Sequence, residues 1–121
     1  FEKKIFLFNK IKKYYNEIDS ILVPIDTVSI RLNTGLPIFI NHKHHPFKHN
    51  EIIDWDLRLK LASNFYNAKN LDLQNQFLKE IIELEKISHI LFKKSQFYPE
   101  CNDLINDDDY ILIEISDCYK N

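Results

Sequence analysis

Apolar residues at the start of the chain recur at helical spacing. Leu7, Ile11, Tyr14, Ile18 and Ile21 fall three and four residues apart, and Phe8, Tyr15 and Leu22 widen the stripe. Lys3, Lys10, Lys12 and Lys13 occupy much of the remaining surface. The spacing predicts an amphipathic helix with a wet basic face, stopped by Pro24 near residues 20–23. The next stretch, TVSIRLN, alternates instead. Val28, Ile30 and Leu32 face one way and Thr27, Ser29, Arg31 and Asn33 the other, as on a half-buried strand. Asn33, Thr34 and Gly35 predict a turn with Gly35 at positive φ. LPIFIN then returns as an edge strand, because Pro37 has no backbone donor to give a neighbour.

Residues 42–50, HKHHPFKHN, read as a loop broken by Pro46. Beyond it two periods compete. Trp55, Leu57, Leu59 and Leu61 alternate with Asp54, Asp56, Arg58 and Lys60, which favours a strand over 53–61. A helix with Trp55, Leu59, Ala62, Phe65 and Tyr66 as its stripe fits the same letters. The clearest helix follows over about residues 70–94, on Phe77, Ile81, Leu84 and Leu91, broadened by Leu78, Ile82, Ile87 and Ile90. Asn70 or Asp72 is placed to cap it, and Lys93 and Lys94 suit its C-terminal end. FYPECNDLINDDD predicts a loop, YILIEI a last strand and SDCYKN a peripheral tail. The order α-β-β-β-α-β predicts one α+β domain over residues 1–121. Two principal helices would pack on one face of a mainly antiparallel sheet of about four strands.

Composition narrows the chemistry. Gly35 is the chain's one glycine, so a phosphate-cradling loop or a dinucleotide fingerprint, each needing several, is excluded. Two cysteines, Cys101 and Cys118, are too few for a disulfide framework; one bridge is possible, but reduced thiols in a cytoplasmic protein are the favoured expectation. No apolar run approaches the roughly 18 residues of a membrane span, and FEKKIFLF is too short and too soon charged for a signal peptide. Charge is uneven. Residues 1–50 carry eight Lys/Arg against four acids, and residues 51–121 eight against fourteen. The total of −2 disfavours generic nucleic-acid binding, although Arg31, Lys43, Lys48, Phe47 and the basic helix face could form a local grip.

Two clusters carry candidate chemistry. His42, His44 and His49 are candidate metal ligands, since neutral imidazole suits zinc and similar ions, with Asp54 or Asp56 as an added carboxylate. His44-His45-Pro46 resembles the opening of the His-Asn-His nuclease motif. That resemblance implies a metal-dependent hydrolase in which Asn70 and His89 are the later members. The glycines that follow the proline in that family are absent here, as is its closing pair of helical ligands. The second cluster is Glu100, Asp103, Asp107, Asp108 and Asp109, which lacks the alternation and central glycine of a calcium loop. Like charges so close call for water, a cation or a basic partner. This favours a non-enzymatic protein-binding domain without a cofactor. Its most concrete form is an acidic inhibitor of a basic partner, similar to immunity proteins and antitoxins.

Overall fold

The strand that organises the molecule lies inside the stretch predicted to be the long helix. The computed structural model describes residues 2–27, 35–40 and 49–119. Among these, α1 spans Glu2–Lys12, β1 Ile21–Leu22, α2 His49–Asn67, α3 Leu71–Leu84, β2 His89–Lys93, β3 Asp103–Asn106, β4 Tyr110–Glu114 and α4 Ile115–Cys118. Single 3-10 turns occupy Tyr15–Glu17 and Ile25–Thr27. The α+β class holds, and the sheet is mixed, with order β1-β2-β4-β3. β1 runs parallel to β2, whereas the β2–β4 and β3–β4 pairs are antiparallel.

Both faces of this sheet are covered, which corrects the single helical layer expected. Alternate residues of a strand point to opposite faces. Ile90, Phe92, Ile111 and Ile113 pack on Leu61, Phe65, Leu78 and Ile81 of α2 and α3. Leu91, Tyr110 and Leu112 pack with Leu7, Phe8 and Ile11 of α1. The four residues His89 to Phe92 are therefore buried in succession, and their period of two is lost. That run imitates the side of a wide helix. The helix instead stops where Glu85 turns extended (φ −155°, ψ 133°), its N–H still reaching Ile81 O at 3.1 Å. At the other end Asn70 caps α3 as expected, its side chain accepting from the Leu73 N–H at 2.9 Å.

Residues 53–61 are helical within α2, not a strand. Between Asp54 and Ala68 there is no glycine, proline or β-branched residue, so nothing local opposes a helix. Burying Ala62, Phe65 and Tyr66 against the sheet selects it. α1 ends at Lys12, earlier than expected, and the buried Ile18 and Ile21 lie in extended backbone just past a 3-10 turn and in β1. Of the expected returning strand, Ile38 makes one parallel bridge with Ile21. Gly35 does take positive φ (73°). The strand expected over 27–33 lies outside the described residues except Thr27, which sits in a 3-10 turn.

A polar hub locks the layers laterally. The Arg58 guanidinium donates to Phe39 O (2.9 Å), Glu85 Oε1 (3.1 Å) and Asp54 Oδ2 (3.0 Å), and lies 4.9 Å from the Phe39 ring centroid. Ser20 Oγ donates to Glu85 Oε2 at 2.8 Å. Arg58 and Glu85 together thus join α2, the end of α3, Ser20 just before β1 and the segment 36–40.

Candidate functional site

The acidic cluster divides in three dimensions. Asp107, Asp108 and Asp109 form the turn between β3 and β4, while Asp103 opens β3 at its other end. At roughly 3.3 Å per residue, four residues separate Asp103 from the turn by about 13 Å. Asp103 Oδ2 accepts from Asn106 Nδ2 (3.1 Å), and exposed Glu100 stands beyond it. Of the five predicted carboxylates, the fold gathers three.

Those three do different work. Asp107 is half-buried and builds the turn. Its Oδ1 accepts the backbone N–H groups of Asp109 (3.0 Å) and Tyr110 (2.8 Å), while its own N–H donates to Tyr110 O (3.0 Å). A short carboxylate supplying a backbone-like acceptor is why Asp suits this position. Asp108 and Asp109 are exposed. The turn is tied to the end of β2 through the Lys94 N–H, which donates to Asp109 O at 2.9 Å. Asp26 joins the same end of the sheet, where Lys93 pairs with it. Tyr110 beneath the turn is 8% exposed. Burial, with Asp26, Asp109 and Asp107 around it, raises its phenol pKa above 10.

Two residues of α1 complete the site, Lys10 of the expected basic face and Phe6, which the local pattern did not single out. Phe6 and Lys10 of α1 line a cleft of about 240 Å³ with Asp107, Asp108, Asp109 and Tyr110. Phe6 lies beside the buried stripe of Leu7 and Ile11 and is 69% exposed, the most open large apolar side chain among the described residues. Lys10, one turn on, holds its Nζ 5.6 Å from the Phe6 ring centroid. The arrangement offers an aromatic surface beside two exposed aspartates, Asp108 and Asp109. The available signal in the sequence was the break in the stripe, an aromatic residue off the buried face.

The second missed feature is covalent. Cys101 and Cys118 form a disulfide, which corrects the expected reduced thiols. One cysteine precedes β3 and the other ends α4 just after β4, so the β3–β4 hairpin brings its two ends together. A separation of 17 residues did not reveal this until the hairpin was known.

The histidine-centred alternative falls mostly outside the described residues. His42 and His44 lie outside the described residues, and His49 starts α2. Asp54 is paired with Arg58 and Asp56 with Lys60 (2.9 Å), each at a spacing of four along α2. Among the described residues no group of three or more His, Cys, Asp or Glu could hold a metal. His89 is a buried strand residue, 1% exposed, and Asn70 is a helix cap, so neither takes the role implied by the nuclease resemblance. Ser88 Oγ lies 2.6 Å from His89 Nδ1, 3.3 Å from Ser20 O, and accepts the Asp19 N–H at 3.0 Å. An Nδ1–H tautomer satisfies all three contacts, leaving Nε2 without a partner among the described residues. Burial lowers the imidazole pKa, against the opposing pull of Glu114, Glu17 and Asp19. Glu114, opposite His89 on β4, is half-exposed and accepts from Ser116 Oγ at 3.2 Å. Of the proposed nucleic-acid grip, Arg31, Lys43, Phe47 and Lys48 lie outside the described residues.

Comparison of the chain with protein-family models, curated proteins and solved structures found no match.

Proposed function

We propose that this domain is a non-enzymatic protein-binding module that receives a basic partner at the cleft between α1 and the β3–β4 turn, in the manner of an immunity or antitoxin-like inhibitor. The observation that carries the reading is the open Phe6 ring in one cleft with Asp108 and Asp109. Rim carboxylates speed encounter with a positive surface and reject a negative one, and a central aromatic group supplies desolvated contact area. The same carboxylates repel phosphate, which weighs against nucleic acid at this face. Among the described residues no helix is long and apolar enough to cross a membrane. Disulfides persist in oxidising compartments. The Cys101–Cys118 bridge therefore favours a site of action outside the reducing cytoplasm over the cytoplasmic location expected from free thiols.

The test uses a fluorescent peptide rich in lysine and arginine, with binding followed by anisotropy at about 50 mM and about 300 mM salt. The unmodified chain should bind it, more weakly at high salt. Asp108→Asn/Asp109→Asn should lower affinity mainly through the association rate, and Phe6→Ala should lower it by about 1–2 kcal/mol. Equal affinity of all three proteins would remove this cleft from the account.

A further inference from the structure

The acidic turn and the disulfide sit at opposite ends of one hairpin. Cys101 lies two residues before β3, and Cys118 four residues after β4, so the bridge closes the hairpin into a covalent ring with the turn at its far end. Among the described residues β3 is an edge strand and pairs with β4 alone. It has four residues, and its register slips between Asp103 and Ile105. Outside that pairing, β3 is held by burial of Ile105 and by the Tyr14 hydroxyl, which donates to Leu104 O at 3.1 Å. An edge this short and irregular is a low-stability unit, so a crosslink at its base has large leverage over its order.

The other side of the ring has polar ties besides the bridge. α4 is a single turn. Tyr119 after it donates its hydroxyl to Gln74 Oε1 (2.9 Å), and buried Gln74 donates to Phe97 O (2.8 Å) in the segment leading to Cys101. Both cysteines are half-buried, within reach of a small thiol.

We infer that the Cys101–Cys118 bridge is a redox latch on the acidic turn: oxidised, it holds β3 and the turn in the conformation that receives a basic partner, and reduced, it lets them loosen. This inference rests on the partner-binding reading and adds its regulation. The reductant is a dithiol. One of its thiolates attacks a cysteine sulfur, forming a mixed disulfide and releasing the other cysteine as a thiolate. Its second thiolate then closes the reagent's own disulfide and releases the first. Two electrons pass to the protein, and each cysteine thiolate takes a proton to become a thiol.

Amide hydrogen exchange on the full chain, oxidised and reduced, tests the latch directly. Exchange at residues 104–110 should rise on reduction about tenfold or more beyond the rise that loss of the crosslink causes in β2 and α3. Unchanged exchange in that segment would overturn the latch, as would a rise there no larger than that in β2 and α3. Affinity for the lysine- and arginine-rich peptide should fall about tenfold on reduction, since the turn must then be ordered on binding. Cys101→Ser/Cys118→Ser should bind as weakly as reduced protein, whether or not dithiol is present. Equal affinity in both redox states, with dependence on Asp108 and Asp109 retained, overturns the latch alone. Indifference of the oxidised protein to Asp108→Asn/Asp109→Asn overturns the binding reading itself.

Discussion

Asp107 and Asp108 are adjacent and chemically identical, yet the account gives them opposite roles, so Asp107→Ala is a sharp perturbation. It removes the acceptor of two N–H groups at 2.8 and 3.0 Å. A hydrogen bond to a charged group contributes roughly 1.5–3 kcal/mol net. Asp107 is half-exposed, so water replaces part of what is lost and the low end applies to both bonds together. The expected loss is about 2 kcal/mol, or roughly 8 °C in melting temperature for a domain of this size. Asp107→Asn keeps an oxygen in place and should lose less than half as much. Asp108→Ala should stay within about 0.5 kcal/mol of the parent. Urea and thermal denaturation followed by circular dichroism measure all three. Equal stabilities for Asp107→Ala and Asp108→Ala would refute the division of this cluster into a turn-forming and a displayed carboxylate.

The remaining predictions concern the scaffold. Replacing Cys101 and Cys118 together by serine removes a crosslink over 17 residues. The loop-entropy relation puts this at about 3 kcal/mol, read as a fall in the urea midpoint of the double variant. Arg58→Met should cost about 2 kcal/mol, discounted for partial exposure, because it removes the donor to Glu85 Oε1 and Phe39 O. Arg58→Lys should recover only part, since an ammonium lacks the fork. Burial lowers the His89 pKa from 6.5, so the unfolded chain binds the extra proton first. Stability should be full above pH 6.5 and fall as pH drops below it towards the folded value, a slope that His89→Gln reduces. Tyr66, Tyr110 and Tyr119 have phenol pKa values raised above 10, chiefly by burial. Their contribution is present below pH 10 and is lost as pH rises past it, which an alkaline titration of phenolate absorbance and circular dichroism should show together.

The limits of the sequence reading have particular physical causes. The α+β class was legible because α3 and β4 are locally unambiguous. His89 to Lys93 was not, because a strand buried on both faces has no alternation to display. The alternation of residues 54–61 misled in the opposite sense. On α2 the leucines share a helix with charged neighbours, and Leu57 remains 42% exposed. The acidic turn was visible as a local run of like charge. Its division into Asp107 and the two displayed residues required the backbone to be in place. Phe6 and Lys10 reach the turn from about a hundred residues away, and Cys101 meets Cys118 only through the hairpin. Such meetings are set by tertiary packing, which no local period encodes.

An amide-resolved NMR titration of the oxidised chain with the lysine- and arginine-rich peptide tests the central claim most directly. The account predicts that shifts concentrate at Phe6, Lys10, Asp108, Asp109 and Tyr110, and weaken as salt is raised. Shifts confined to α2 and α3, or spread evenly over the surface, would contradict it.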